Sequence, residues 1–292
     1  MDLTLLLQAF INGICMGSIY ALVACGLTLI FGVMNIINMA HGHFLMVMMY
    51  VVFWGNAALG LDPYLSFIIT VPFAFVIGLL SFVIFVQPIL GHPPMNKILM
   101  TLGLSVVMEN VALIIFSPDL RNVNSVISES KIAIGGAYIA TMQIIALFGS
   151  VAMTIVLSQI MQRSSLGRHI RAASENADAA TLMGINVKRI CQLSFALGIM
   201  CLGVAAPLLS PLYYITPTIG NLFVLMAFVV VVMGGMGSFN GALWGGFIVG
   251  LTEALGYALL PIGSFAPALI FLVFILVLLF RPQGLFGGRT QS

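Results

Sequence analysis

The sequence predicts an all-α polytopic integral membrane protein, a bundle of eight or nine transmembrane segments with one short helix outside the bilayer. Three observations predict it. Charged residues make up 6% of the 292 positions and apolar residues 61%, with a mean hydropathy of +1.19; a soluble domain carries about 25% charge. Asp, Glu, Lys and Arg are absent from residues 3–61, 63–96, 132–162, 190–252 and 254–280. The apolar runs are continuous, whereas strands of a membrane barrel alternate over about 10 residues. Disorder is excluded, because it needs low hydrophobicity and high charge. Nucleic-acid binding is excluded too: a net charge of +2 with no basic face attracts phosphate weakly.

A helix needs about 20 apolar residues to cross a hydrocarbon core of about 30 Å. The apolar runs place spans at 4–31, 42–57, 64–86, 98–117, 141–162, 190–210, 219–234, 242–259 and 266–280. Segments 42–57, 219–234 and 266–280 are short. If one is a half-helix there are eight crossings, and otherwise nine. Lys and Arg stay on the cytoplasmic side. Five of the ten basic residues, Arg163, Arg168, Arg171, Lys188 and Arg189, lie in the loop 163–189, and Arg281 and Arg289 follow the last span. Both regions are therefore expected in the cytoplasm. The loop 118–140, with Asp119, Arg121, Glu129 and Lys131, is expected outside, and by parity so is the N-terminus if all nine segments cross. The first apolar run lacks a basic flank and is too long for a signal peptide. The four cysteines, Cys15, Cys25, Cys191 and Cys201, form no CxxC pair and read as small apolar residues.

Small residues recur every four positions in two spans: Gly13, Gly17, Ala21 and Cys25, then Ala242, Gly246, Gly250, Ala254 and Ala258. Each set lies on one helix face and lets another backbone come close. That other backbone belongs either to this chain or to a partner subunit.

Polar breaks interrupt the pattern. Residues 32–43 carry Asn35, Asn38, His41 and His43 between Gly32 and Gly42. They read either as a turn between two spans or as polar backbone lining a cavity at membrane depth. Asn35, Asn38 and His41 would share a face if that stretch were helical. His41 and His43 have no third ligand nearby, so no metal is expected. Residues 234–241, Gly-Gly-Met-Gly-Ser-Phe-Asn-Gly, lack the Lys of a phosphate loop and read as a tight turn. Prolines at 207, 211 and 217 end a helix.

Glu109, next to Asn110, and Glu253 are the acids deep in expected spans. A carboxylate at the bilayer centre costs about 2.5–3.5 kcal/mol, so each must face a partner or water. Two readings stand for both acids: a proton or solute path, and a hydrogen-bonded contact between helices.

The loop 163–189 is too polar to cross, yet it carries helix signals. Ser174 can cap, Glu175 and Asp178 fall in the first turn, and Gly184 suits the C-terminal end. Ala179, Leu182 and Met183, beside Ala180, make an apolar stripe. A helix this short must pack on something: its own membrane domain, the lipid headgroups, or a cytoplasmic partner.

Three stretches together carry a family resemblance. The first is Gly17-Ser-Ile-Tyr-Ala-Leu, Gly26-Leu-Thr-Leu-Ile-Phe-Gly and Asn38-Met-Ala-His-Gly. The second is Leu166-Gly-Arg, Arg171-Ala, Ala179-Ala and Leu182-Met-Gly-Ile. The third is Gly234-Gly-Met-Gly-Ser, Gly241-Ala, Gly245-Gly and Glu253-Ala. In this order they resemble the LivH-type permease of branched-chain amino acid ABC transporters along nearly the whole chain. The resemblance implies one permease domain over 1–292 in the bacterial inner membrane. It also implies a LivM-type second permease, two cytoplasmic ABC ATPases and a periplasmic or extracellular substrate-binding protein. It makes the loop 163–189 a coupling loop, with Glu175, Asp178, Ala179, Ala180, Leu182, Met183 and Gly184 facing the ATPases. No cofactor is implied, since nucleotide chemistry lies in another chain. Two positions depart from the family pattern. His43 stands where an acid commonly follows His-Gly, and Met226 stands near a position where some members carry Lys. Permeases of this kind serve branched-chain amino acids, small amino acids, urea and other amides. Composition and periodicity by themselves leave two rivals open, a proton-coupled secondary transporter working through Glu109 or Glu253 and a passive channel for a small neutral solute such as urea. For either, and for the importer, Asn35, Asn38, His41, His43, Glu109, Asn110 and Glu253 are the candidate path residues.

Overall fold

The computed structural model describes residues 3–125, 130–134, 137–259 and 265–287; Glu129 and Arg289 lie outside them. The chain is a polytopic helical membrane protein. Its helices are α1 (Leu3–Met34), α2 (His41–Leu59), α3 (Phe67–Ser81), α4 (Pro94–Phe116), α5 (Thr141–Arg163), α6 (Ser165–Glu175), α7 (Ala177–Leu182), α8 (Val187–Leu209), α9 (Ile219–Gly234), α10 (Phe239–Leu259) and α11 (Ala266–Phe280). With the turns that flank it, α3 forms one continuous helical rod over Pro63–Ile89. Seven of these elements are long and apolar enough to cross a membrane: α1, α2, the α3 rod, α4, α5, α8 and α10. The helices α9 and α11 are apolar but shorter. One feature was not legible in the apolar pattern, an antiparallel hairpin of β1 (Lys131–Ile134) and β2 (Ala137–Ala140) in register Lys131↔Ala140. The hairpin marks one end of the bundle. Helices α6 and α7, with Arg163, Arg168 and Arg171, mark the other, basic end.

The bundle is built around α1. Residues 17–30 are buried on every side, as expected of a helix that is apolar all round. It packs on α10, α8, α5 and α9. The tightest seam is α1 against α10, where the two small-residue faces meet each other. A Cβ on Gly17 would lie 2.8 Å from the Gly246 carbonyl oxygen, and one on Gly13 2.8 Å from Leu251 Cα. Backbones this close gain van der Waals contact that bulkier residues forbid. Both stripes are therefore used inside this chain. The same device joins α3 to α8, where Thr70 Oγ1 donates to the Gly203 carbonyl at 2.7 Å.

Helix α4 stands apart, touching mainly α2. Its Leu102, Val106, Val107, Ile114 and Ile115 are exposed, as are Leu272, Ile275 and Leu279 of α11. In a bilayer such residues satisfy lipid, so their exposure is no defect.

Candidate functional site

Three places gather the polar residues. The first is the break after α1. Asn35 adopts φ 50°, a left-handed conformation that Asn tolerates, and its N–H closes α1 on the Phe31 carbonyl at 2.8 Å. Asn38 then accepts twice, Oδ1 from the Ala40 N–H at 3.2 Å and its carbonyl from the His41 N–H at 3.1 Å. This turn starts α2. The stretch is not helical, so Asn35, Asn38 and His41 share no helix face. Asn35 is exposed, while Asn38 and His41 are buried.

The break does not simply cap the bundle. His41 Nε2 donates to the Val23 carbonyl at 3.0 Å. Val23 is 11 residues before the end of α1, about 16 Å back along its axis. The chain thus climbs back beside α1 before α2 begins. On the far side α9 also begins inside the bundle. A Cβ on Gly220 would lie 3.0 Å from Gly42 C and from His43 Cα, so the first turns of α2 and α9 abut.

Glu109 of α4 sits at this junction. Its Oε2 accepts from His43 Nε2 at 3.2 Å and from Asn221 Nδ2 at 3.0 Å. The first turns of two helices meet an acid here, and a helix N-terminus stabilises nearby negative charge by about 0.3–1 kcal/mol when exposed and up to about 2 when partly buried. With two donors added, the acid is tolerated at depth. Asn110, the adjacent residue, is not part of this cluster: it is exposed and its Nδ2 returns to the Val106 carbonyl at 2.8 Å.

Glu253 belongs to a second place. Tyr20 O–H donates to its Oε2 at 2.7 Å across the α1/α10 seam. It borders a cleft of about 390 Å³, lined also by Gln8, Asn12, Gln143, Tyr213 and Tyr257. Gln8 holds the hairpin to the rim of this cleft: its Nε2 donates to the Tyr138 carbonyl at 2.7 Å and its Oε1 accepts from Tyr138 N–H at 2.8 Å. The candidate path residues thus divide between separate sites. Asn221, Asn12 and Gln143 were missed because charge gaps do not register neutral amides; an amide in an otherwise apolar span was the available signal.

The third place is the basic end. The sequence suggests one helix capped by Ser174. Instead α6 runs from its cap Ser164, whose Oγ accepts from Gly167 N–H at 3.0 Å, to Glu175. Asn176 breaks it with φ −155°, and its Oδ1 accepts from Ala179 N–H at 2.9 Å to start α7. Asn competes for main-chain N–H groups better than Ser174 does here, because Ser174 Oγ is engaged donating back to the Arg171 carbonyl at 2.8 Å. Asp178 lies in the first turn of α7, and Gly184 ends the segment at φ 83°. Arg171 ties α6 to α5 through the Met161 carbonyl. Ile170, Ala173 and Ala180 are buried, whereas Leu182 is 88% and Met183 82% exposed. Glu175, Asp178 and Ala179 are exposed as well. The apolar stripe of this segment faces away from the protein.

The family model for "Branched-chain amino acid transport system / permease component" matches residues 9–279. The chain belongs to this permease family. The chain is 34% identical to the high-affinity branched-chain amino acid transport system permease protein BraD of Pseudomonas aeruginosa, over 96% of this chain and 95% of that one. It is 32% identical to the permease protein LivH of Escherichia coli K12, again over 96% and 95%. The probable LivH of Methanocaldococcus jannaschii is 27% identical over 92% of this chain and 89% of that one. No solved structure matches. This permease is a transport subunit of an ABC importer, a multi-pass protein of the bacterial inner membrane. Among the described residues, no group of three or more His, Cys, Asp or Glu is placed to hold a metal ion.

Proposed function

We propose that this chain is a single permease domain spanning 1–292 that moves branched-chain or related small amino acids inward, powered by ATP hydrolysis in other chains. Its partners in this reading are a LivM-type second permease, two cytoplasmic ABC ATPases and an external substrate-binding protein. The helices α9 and α11 complete nine membrane segments, with α9 beginning inside the bundle. The basic end faces the cytoplasm and the hairpin end faces the binding protein.

The observation that carries the reading is the outward apolar tip of α7. Two large apolar side chains, Leu182 and Met183, stand almost fully exposed beside Glu175 and Asp178. A short helix with its apolar side turned outward suits the groove of a partner. Ala179, Ala180 and Gly184 shape the same segment. Movement of α6 and α7 reaches α5 through the Arg171 tie and α8 through the short link at Ile185–Asn186. Since α8 packs on α1, α2 and α3, displacement at the basic end is transmitted into the bundle. The His43–Glu109–Asn221 cluster keeps α4 joined to α2 and α9 as this happens.

The test is uptake of labelled valine by proteoliposomes containing the two permeases and the ATPases, with binding protein outside and ATP inside. Uptake that requires ATP and is lost in a Leu182→Glu, Met183→Glu double variant is expected. Uptake by this chain alone, driven by a proton gradient or running only downhill, would overturn the importer reading.

A further inference from the structure

Resting on the importer reading, we propose that the groove floored by α1 between α5 and α10 is this chain's part of the solute path, and that its outer cleft binds an α-amino acid with the ammonium on Glu253.

Geometry comes first. Helix α1 packs along both α5 and α10, but those two make no sustained contact with each other. They stand as walls on either side of α1. Two cavities lie against the pair. The cleft of about 390 Å³ at the hairpin end takes Gln143 from α5 and Gly250, Glu253 and Tyr257 from α10. The second, about 260 Å³ and nearer the basic end, takes Thr154 and Ser158 from α5 and Asn240 and Phe247 from α10. Gly250 borders the first and Phe247 the second, so along α10 the two are less than one helical turn apart.

Polarity points the same way. Amides, hydroxyls and a carboxyl at membrane depth are costly against lipid and belong beside protein or water. The outward faces of α4 and α11 carry Leu, Val and Ile. The groove between α5 and α10 carries Thr154 and Glu253 within the helices and Gln143, Ser158, Gln159 and Asn240 nearer the helix ends, among apolar neighbours such as Ile155 and Phe247. Phe148, Ile155 and Val156 of α5 and Trp244 of α10 are exposed as well, so the polar groups mark the groove itself and not the whole of that side.

The lining selects a ligand. Among the described residues, Glu253 is the one charged residue bordering the outer cleft, with no Lys or Arg beside it. Its Oε2 accepts the Tyr20 hydroxyl at 2.7 Å, and Oε1 has no partner among the described residues. A lone acid there favours an ammonium group and disfavours a purely anionic solute. Asn12 and Gln143 supply amide donors for a carboxylate, and Leu5, Ala9, Met16 and Ala258 supply an apolar wall for an aliphatic side chain. A few polar groups converging on an apolar wall is the usual make-up of a small-molecule site. Glu109 is a poorer candidate: His43 and Asn221 both donate to its Oε2 and compensate its charge, where Glu253 has the Tyr20 hydroxyl alone.

The test uses the complete importer in proteoliposomes with valine as cargo. The four cysteines of this chain are buried, so labelling is read on this chain, and the wild-type importer treated in the same way is the control. Ala254→Cys and Tyr257→Cys variants, at lining positions that are given no polar contact to the solute, are treated from outside with a membrane-impermeant maleimide. Labelling is expected to cut uptake at least tenfold, and valine is expected to slow the labelling. Glu253→Gln, which can still accept the Tyr20 hydroxyl, is expected to lower uptake at least tenfold while the assembled complex continues to hydrolyse ATP. Labelled variants that transport like the wild type would overturn the groove. Unchanged uptake by Glu253→Gln would overturn the ammonium site. If the wild type itself takes up no valine with ATP, the importer reading falls first, an outcome distinct from both.

Discussion

Gly17→Ala tests the central seam of the bundle with one methyl group. The added Cβ would sit 2.8 Å from the Gly246 carbonyl oxygen and 2.8 Å from Phe247 Cα, where ordinary contact begins at 3.4 Å. Both obstacles are backbone, so no rotamer change relieves them. Helices α1 and α10 must part by the difference, about 0.6 Å. A gap of that order forfeits about a quarter to a half of each dispersion contact it opens, and forcing a methylene into a packed core costs about 1–3 kcal/mol. Alanine also favours a helix over glycine by about 1 kcal/mol, which masks part of the loss. Gly103→Ala on α4 removes that ambiguity, since nothing lies within 4 Å of its Cβ position. The difference between the two variants isolates the steric cost, expected at about 1–3 kcal/mol. Unfolding in mixed micelles with increasing dodecyl sulfate, followed by circular dichroism, measures it. Tyr20 lies one turn from Gly17 and bonds Glu253 across the same seam, so Gly17→Ala should also reduce uptake. Equal stability of the two variants, within about 0.5 kcal/mol, would refute the account of how this bundle is held together.

Other outcomes follow from the remaining sites. Glu109→Leu strands the donor of buried His43, while Asn221 is exposed; a loss of about 1–3 kcal/mol is expected for the buried group, read in the same unfolding assay, with Glu109→Gln much milder. Asn176→Ala removes the cap of α7, worth about 0.5–2 kcal/mol locally. The expected result is faster amide exchange over 177–184 and weaker ATP-driven uptake, with global stability preserved. Gly184→Ala forces a side chain into φ 83°, costing about 1–2 kcal/mol in the same segment, and is expected to lower uptake without loss of protein from the membrane. Glu175→Ala removes an exposed charge; reduced uptake at normal stability is expected, and normal uptake would remove Glu175 from the coupling surface.

The sequence by itself determined the class of the protein and the places where its helices lie. Apolar runs of about 20 residues have few alternatives in a bilayer, because each main-chain polar group must bond within its own segment. Hence α9 and α11 occupy the short segments read from the sequence, and the loop 163–189 holds the exposed helices. The four-residue spacing of glycines marked two seams in advance. That the two are halves of one seam, Gly17 and Gly13 against Gly246 and Gly250, was decided by tertiary structure. So was the fate of the acids. Glu109 and Glu253 looked alike as lone carboxyls in apolar spans, but one meets the abutting starts of α2 and α9 and the other borders a cleft. Spacing along the chain reports which residues share a helix face. It does not report which helix lies opposite, where an interrupted helix resumes in depth, or which neutral amides turn toward a shared space. Those depend on how separate helices pack, and in lipid that packing rests on shape and a few hydrogen bonds rather than on apolar pattern.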